Sequence, residues 1–286
     1  MRKNALHNAV EALGGKLAAI PVERLADVKQ DFGRRGIDTA PYFRFELPDD
    51  LGFTPRSVLV AASPSPPAAV KFTVDGAKRS VVIPATYIDF EESKAQVHAA
   101  LAKAAQESGC HIALAKGLPL KPLAVRSGLA ALGRNNTVYV DGMGSFLNLS
   151  AFYSDLPCDS GCFFPLKPMD ACADCGICVE SCPTCALSHE KDLIDAGRCL
   201  TMLNELPGAF PGWVQADWHN ALVGCTACQH TCPHNRAFLA ARTVAVFDEE
   251  ETRAFLRGEL SAEQMEPLGS LRYFKEVLPR NLKALL

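Results

Sequence analysis

Twelve cysteines stand in this chain of 286 residues, and eight of them fall into one repeated pattern. It reads Cys172-x2-Cys175-x2-Cys178-x3-Cys182-Pro183, then Cys199, then Cys225-x2-Cys228-x3-Cys232-Pro233. Thiolates two residues apart on a tight turn reach neighbouring irons of one small cluster. The thiolate before the proline lies too far along to join them and ligates a second cluster. The pattern therefore predicts two [4Fe–4S] cubanes with exchanged ligands. Cys172, Cys175, Cys178 and Cys232 belong to the first, and Cys182, Cys199, Cys225 and Cys228 to the second. Two zinc sites or a disulfide framework are the competing readings. Zinc needs only pairs of ligands and gives no reason for a three-cysteine run closing on Cys-Pro. Paired cubanes carry single electrons, at potentials set by charge, hydrogen bonds and solvent access.

The rest of the composition bounds the partners. Apolar residues make up 48% and charged residues 21%, which suits a large globular core with a small second domain. A net charge of -3 supplies no basic field and argues against a nucleic-acid partner. No run of about 18 apolar residues exists, so no membrane span is expected. Glu11 and Lys16 interrupt the N-terminal segment, which reads as an amphipathic helix rather than a leader. Unpaired thiols and oxygen-sensitive clusters suit a reducing cytoplasm and anaerobic handling.

Elements that must hold the clusters follow from periodicity and breakers. Residues 1 to about 33 read as one or two helices, on Leu6, Val10, Leu13, Leu17 and Ile20. Ser57–Ala62 is a buried strand, and 72–83 a hairpin turning at Asp75-Gly76. A helix from Asp89, with Glu92 completing a capping box, runs to Ser108 before Gly109. His111–Ala115, Thr137–Val140 and Phe146–Tyr153 read as strands, and Leu123–Leu132 as a helix ended by Gly133. Strands alternating with helices predict an α/β (α+β) layer domain over 1–157. A dicluster ferredoxin-like domain follows over 158–240, and a helical tail over 241–286 packs on the core. A free ferredoxin of this kind needs only some 60 residues, so the large domain ahead of the clusters is expected to hold their electron acceptor. No Gly-x-Gly-x-x-Gly or Walker loop is present to make that acceptor a nucleotide.

Four segments carry a family resemblance. They are Ser57–Ala62, the stretch Leu120-Lys-Pro-Leu-Ala-Val-Arg126-Ser-Gly128-Leu-Ala-Ala-Leu-Gly133-Arg134-Asn135, the cysteine array with Asp195-x2-Arg198-Cys199-Leu, and Pro279-Arg-Asn281-Leu-Lys-Ala-Leu. Together they resemble the epoxyqueuosine reductases, in a short form without C-terminal helical repeats, and more distantly the cobalamin-dependent reductive dehalogenases. The resemblance implies a cobalamin-binding reductase-like fold, with cobalamin beside the first cluster, a substrate over the corrin and a protein acid supplying a proton. It implies reduced ferredoxin or flavodoxin as electron donor, and a small-molecule substrate or a corrinoid protein as partner. Three departures stand out. The chain stops at Leu286, Cys185 takes the place of the family's Gly after Cys-Pro-Thr, and His234 that of its Trp. The missing repeats and the acidic balance argue against a tRNA base as substrate.

Individual residues divide between chemistry and structure. Asp89 is a candidate proton donor or a helix cap, and Tyr87 a donor near the corrin or a packed strand residue. Arg126, Arg134, Asn135 and Asn136 are candidate corrin-binding residues, or simply a polar helix end. Lys116 and Lys121 read as surface residues. Cys110, Cys158, Cys162 and Cys185 are surplus thiols, with Cys158-x3-Cys162 a possible redox pair. His219, His230 and His234 either pack or tune a metal centre, while Trp213 and Trp218 shield the second cluster. Three functions compete: a cobalamin-dependent iron–sulfur reductase, a corrinoid-activating or cobalamin-handling protein, and a dicluster electron carrier without a corrinoid.

Overall fold

The computed structural model describes residues 2–159, 161, 163–190 and 193–286. In chain order the strands are β1 (Lys16–Pro21), β2 (Ser57–Pro64), β3 (Ala68–Val74), β4 (Ala77–Ile83), β5 (Ile112–Leu114), β6 (Ala131–Leu132), β7 (Val138–Tyr139), β8 (Leu147–Ser154) and β9 (Arg242–Phe247). The helices are α1 (Arg2–Glu11), α2 (Leu25–Arg34), α3 (Phe90–Ser108), α4 (Leu120–Arg126), α5 (Ile177–Glu180), α6 (Leu200–Glu205), α7 (Ala227–His230), α8 (Glu249–Arg257), α9 (Ala262–Met265) and α10 (Leu278–Leu285).

The main sheet has the order β1-β2-β8-β5, every pair antiparallel. Both its faces are covered, which is why β8 is buried along its whole length. On one face α1 and α3 contribute Leu6, Val10, Val97 and Leu101 against Leu59, Ala61 and Phe152. On the other, α2 and α4 contribute Val28, Leu123 and Val125 against Val58, Val60, Leu149 and Ala151. Burying side chains of this size stabilises the layers by about 1.5–3 kcal/mol each. The expected α/β layering is present, with antiparallel strands in the sheet.

A second sheet, β4-β3-β9, takes its third strand from beyond the cysteine array. β9 runs parallel to β3, and Phe72 packs on Phe247 and Phe255 at centroid separations of 5.4 and 4.9 Å. The cluster segment is thus a long excursion whose end is stitched back into the sheet before it. The periodicity gave no sign of β9, because the half-exposed sequence Arg-Thr-Val-Ala-Val-Phe finds its partner in Ala68–Phe72, far back in the chain.

Several expectations are corrected. Residues 16–21 form a strand, not the continuation of a helix: Gly14 and Gly15 end α1, and Leu17 and Ile20 pair with β2 instead. The helix expected over 123–132 spans Leu120–Arg126, and Ala131–Leu132 forms a short hairpin with β7. The hairpin at Asp75-Gly76 stands, with φ of 49° and 74°, as a two-residue turn requires. α3 begins after Asp89 and ends at Gly109, but Asp89 makes no side-chain cap. The capping box occurs at Asp248 and Glu251, at the start of α8.

Candidate metal centre and its cavity

The two cysteine loops share one local plan. Each Cys-x2-Cys-x2 or Cys-x2-Cys turn enters a single helical turn, α5 or α7, and leaves through Cys-Pro. Their ends then cross over. Burial pushes the Cys178 thiol up, and the charges of Cys172, Cys175 and Cys232 push it further. Burial also raises Cys225; the Asn220 amide and the Ala227 N–H oppose this, and Cys199 and Cys182 add to it. Cys228 is driven beyond the thiol range by burial, then by Cys225, Cys199, Cys178 and Cys182. The thiols that feel one another are mainly those the exchanged pattern groups, although Cys178 also reaches Cys228 from the neighbouring set. Such thiols keep their protons until iron supplies the compensating charge. Among the described residues, no three His, Cys, Asp or Glu side chains converge on a point that a single ion could occupy. A cubane, with each thiolate on its own iron, requires no such convergence.

Different groups hold each loop. Arg134 closes the first: its Nη2 donates to the Cys172 carbonyl at 3.0 Å, and its Nη1 to the His189 carbonyl at 3.3 Å. The second is held by carboxamides. Asn220 Nδ2 donates to Cys225 Sγ at 3.2 Å, while its Oδ1 accepts from Thr226 N at 2.8 Å. Asn281 Nδ2 donates to the carbonyls of Asn204 at 2.8 Å and Leu222 at 2.9 Å. Arg280 Nη2 donates to the Leu203 carbonyl at 3.0 Å, with its guanidinium 3.9 Å from the Phe210 ring. The Pro279-Arg280-Asn281 segment therefore clamps α6 to the second loop. Asn235, fully buried after Cys232-Pro233, receives Ser145 N at 2.8 Å and so ties the array to the main domain.

A cavity of about 550 Å³ opens against the second loop. Cys199, Cys225 and Cys228 form part of its wall. Facing them are Tyr87, Lys121, Asn135, Asn136, Asn148 and Glu205. Tyr87 donates its hydroxyl to Glu205 Oε1. Burial pushes Tyr87 far above the phenol range, reinforced by the Glu205 charge. Burial likewise holds Glu205 above the usual carboxyl range, against the Tyr87 hydrogen bond. Gly224 makes this packing possible: at φ 68°, a Cβ there would lie 2.8 Å from the Tyr87 ring. Asn148 is 4% exposed, and neither its Nδ2 nor its Oδ1 has a partner. Orphaned groups of this kind cost about 1–3 kcal/mol each and favour a ligand that satisfies them.

The structure sorts the sequence candidates. Tyr87, Asn135 and Asn136 line the cavity; Asp89, Arg126 and Arg134 do not. Asp89 receives Arg242 Nη2 on both oxygens, at 2.7 and 2.6 Å. Arg126 pairs with Asp31 and lies 4.6 Å from the Phe163 ring, so it braces α4 instead of a cofactor. Asn135 is partly structural, donating Nδ2 to the Tyr139 hydroxyl at 2.8 Å and to the Cys228 carbonyl at 3.2 Å. Lys121 is exposed, as expected of a surface residue, and also lines the cavity, donating to the Asn136 carbonyl at 3.0 Å. The cavity adjoins Cys199, Cys225 and Cys228, which the exchanged pattern assigns to the second cluster. His219, His230 and His234 pack against Phe210, Phe146 and Tyr139 and stay off the cavity wall. Trp213 stacks with Arg198 at 5.0 Å and lies near Trp218. Cys110 and Cys158 point to the carbonyls of Ala105 and Ala19, and Cys162 lies outside the described residues. Cys185 is exposed at φ 52°, a conformation natural to the glycine it replaces. Glu205, Asn148 and Asn220 were missed. The only local signal was the position of Glu205 one helix beyond Cys199.

A repeated cysteine array with a cavity at one end defines a double-cluster iron–sulfur protein. Comparison with known proteins agrees: residues 171–235 match the family described as 4Fe-4S double cluster binding domain. The chain is 32% identical over 131 residues to the epoxyqueuosine reductase of Staphylococcus aureus, covering 46% of this chain and 33% of that protein. The corresponding enzyme of Cyclobacterium marinum is 35% identical over 114 residues, 40% of this chain and 36% of that one. The matched stretches thus span about a third of these relatives. Over 99% of its length the chain superposes on the epoxyqueuosine reductase structure from Streptococcus thermophilus, with a TM-score of 0.70 at 19% identity and 80% of that chain covered. A Bacillus subtilis structure, described with its catalytic loop swung out of the active site, gives 0.68 at 18% identity, with coverage of 99% and 80%. An epoxyqueuosine reductase bound to a modified tRNA stem loop gives 0.69 at 17% identity, again covering 99% and 80%. The fold is the epoxyqueuosine reductase fold, and the sequence resemblance to that family is confirmed.

Proposed function

We propose that this chain is an iron–sulfur reductase in which two [4Fe–4S] clusters deliver electrons to a cobalamin in the 550 Å³ cavity, for reduction of a small molecule. The ligand sets are Cys172, Cys175, Cys178 and Cys232, and Cys182, Cys199, Cys225 and Cys228. One observation carries the reading: the wall of a ligand-sized cavity is made from the second cluster's cysteines. The cavity continues beyond those cysteines to Tyr87, Asn136, Asn148 and Glu205, which leaves room for an acceptor beside the cluster.

The lining suits a corrin. Its rim of carboxamides calls for complementary donors and acceptors, and Asn136, Asn148 and Gln229 present them. The cavity is open to solvent, so a macrocycle larger than its volume can extend through the mouth. Bound cobalamin would supply the two-electron chemistry of cobalt. The protein's part is positional. Asn148 satisfies its orphaned carboxamide on the ligand. Tyr87 and Glu205 hold a proton between Oη and Oε1 at the cavity wall. Burial raises Glu205 and so favours its protonated form, which makes it the acid of the pair, with Tyr87 the hydroxyl through which the proton reaches substrate. Asp89, engaged with Arg242, has no part in this arrangement. The likeness to a tRNA-bound structure makes an RNA stem loop the second substrate to test.

Anaerobic reconstitution with iron and sulfide, followed by cobalamin, tests the reading. Expected are two cluster signals and a changed cobalamin spectrum on binding. Colourless protein, or stoichiometric zinc without iron, would overturn it. Brown protein indifferent to cobalamin would leave the electron carrier.

A further inference from the structure

Lys121 is the one cation and Glu205 the one carboxylate among the described residues that line the cavity. The lysine reaches the cavity from the start of α4. It is anchored through its Nζ to the Asn136 carbonyl at 3.0 Å, and the adjacent Asn135 binds the Cys228 carbonyl at 3.2 Å. Two consecutive asparagines therefore fix the ammonium beside the second cysteine loop. Lys121 is an exposed residue on the cavity wall; partial desolvation lowers its proton affinity, while the thiols of Cys228 and Cys199 oppose that shift. Among the described residues no acid pairs with it, unlike Lys16, Lys29, Lys94 and Lys167, which face Asp141, Glu46, Glu91 and Asp170. Its ammonium shares the cavity wall with Cys199, Cys225 and Cys228.

We propose that Lys121 tunes the second cluster, raising its reduction potential and so favouring the arrival of electrons at the cavity. The inference rests on the double-cluster reading. Adding one electron makes a thiolate-bound cubane more negative, so a fixed positive charge a few ångströms away stabilises the reduced form. The first loop carries a cation of its own, Arg134, whose Nε and Nη2 donate to the Cys172 carbonyl, so the effect of Lys121 is read on the second cluster's own potential. Lys121 is thus a positioning residue for charge, acting on the substrate only through the cluster.

Potentiometric titration of the reconstituted holoprotein, followed by electron paramagnetic resonance, reads both clusters separately. Lys121→Met should lower the second cluster's reduced-to-oxidised ratio about tenfold at a fixed poise, equivalent to ~59 mV for a one-electron couple. The first cluster's potential should stay in place. Lys121→Arg, which keeps the charge, should restore most of the shift, whereas a purely structural role would leave Lys121→Met without a potential change. Two intact clusters with unaltered potentials in Lys121→Met overturn the inference alone. A methionine variant that loses the second cluster passes the decision to Lys121→Gln and Lys121→Arg, whose potentials must then differ. Wild-type protein that forms no pair of clusters overturns both the inference and the reading beneath it.

Discussion

The two cysteine loops are near copies in sequence and opposites in surroundings. The first has an exposed Ile177 at its turn and is held by a single arginine gripping backbone carbonyls. The second is flanked by Asn220, Asn204, Asn281 and the Tyr87 ring, and borders the cavity. The difference teaches that a ligand motif specifies a cluster but not its task. Half-exposed, the first loop is suited to accept electrons from outside. The second, desolvated and beside a cation and an acid, is suited to pass them on to a bound acceptor.

The largest effect should come from breaking the crossover between them. Cys182→Ala, although it lies in the first loop, should erase the second cluster's resonance and halve the iron content, while Cys232→Ala should erase the first. Matching each cysteine to its own loop's signal would refute the exchange. Next comes the acid side of the cavity. Tyr87→Phe should lower turnover about 10²-fold, with both cluster signals kept, as measured in single-turnover kinetics with cobalamin bound. An unchanged rate would remove Tyr87 from the proton path.

A smaller effect sharpens the contrast in burial. Because Glu205 has a raised value in the folded chain, its neutral form is the favoured one. The stability it contributes is fully present below the ordinary carboxyl pKa and is lost as pH rises through the raised one. Glu205→Gln should flatten that slope in urea unfolding followed across mildly acidic to neutral pH. The smallest effect concerns the first loop's flank. Cys185→Gly relieves a left-handed residue and should stabilise by about 0.5–1 kcal/mol, seen as a rise in Tm of a few degrees.

Parts of this were legible in the residue order because they depend on neighbours. The Asp75-Gly76 hairpin, α3 ending at Gly109 and the buried strands β2 and β8 follow from local propensity and period. Tertiary pairing hid the rest. Lys16–Pro21 carries apolar spacing that fits a helix, and only the open edge of β2 makes it a strand. Arg126 and Arg134 have the chemistry to grip an anion, but Asp31 and the Cys172 carbonyl reach them first.

By itself the sequence determined the metal chemistry, since thiolate number and spacing over a few residues decide what can be ligated. Only the tertiary structure decided which cluster faces a cavity and which acid and cation stand there. Those residues come from α4, α6 and the segment before α3, and no periodicity links positions 87, 121 and 205; the packing that buries them brings them together.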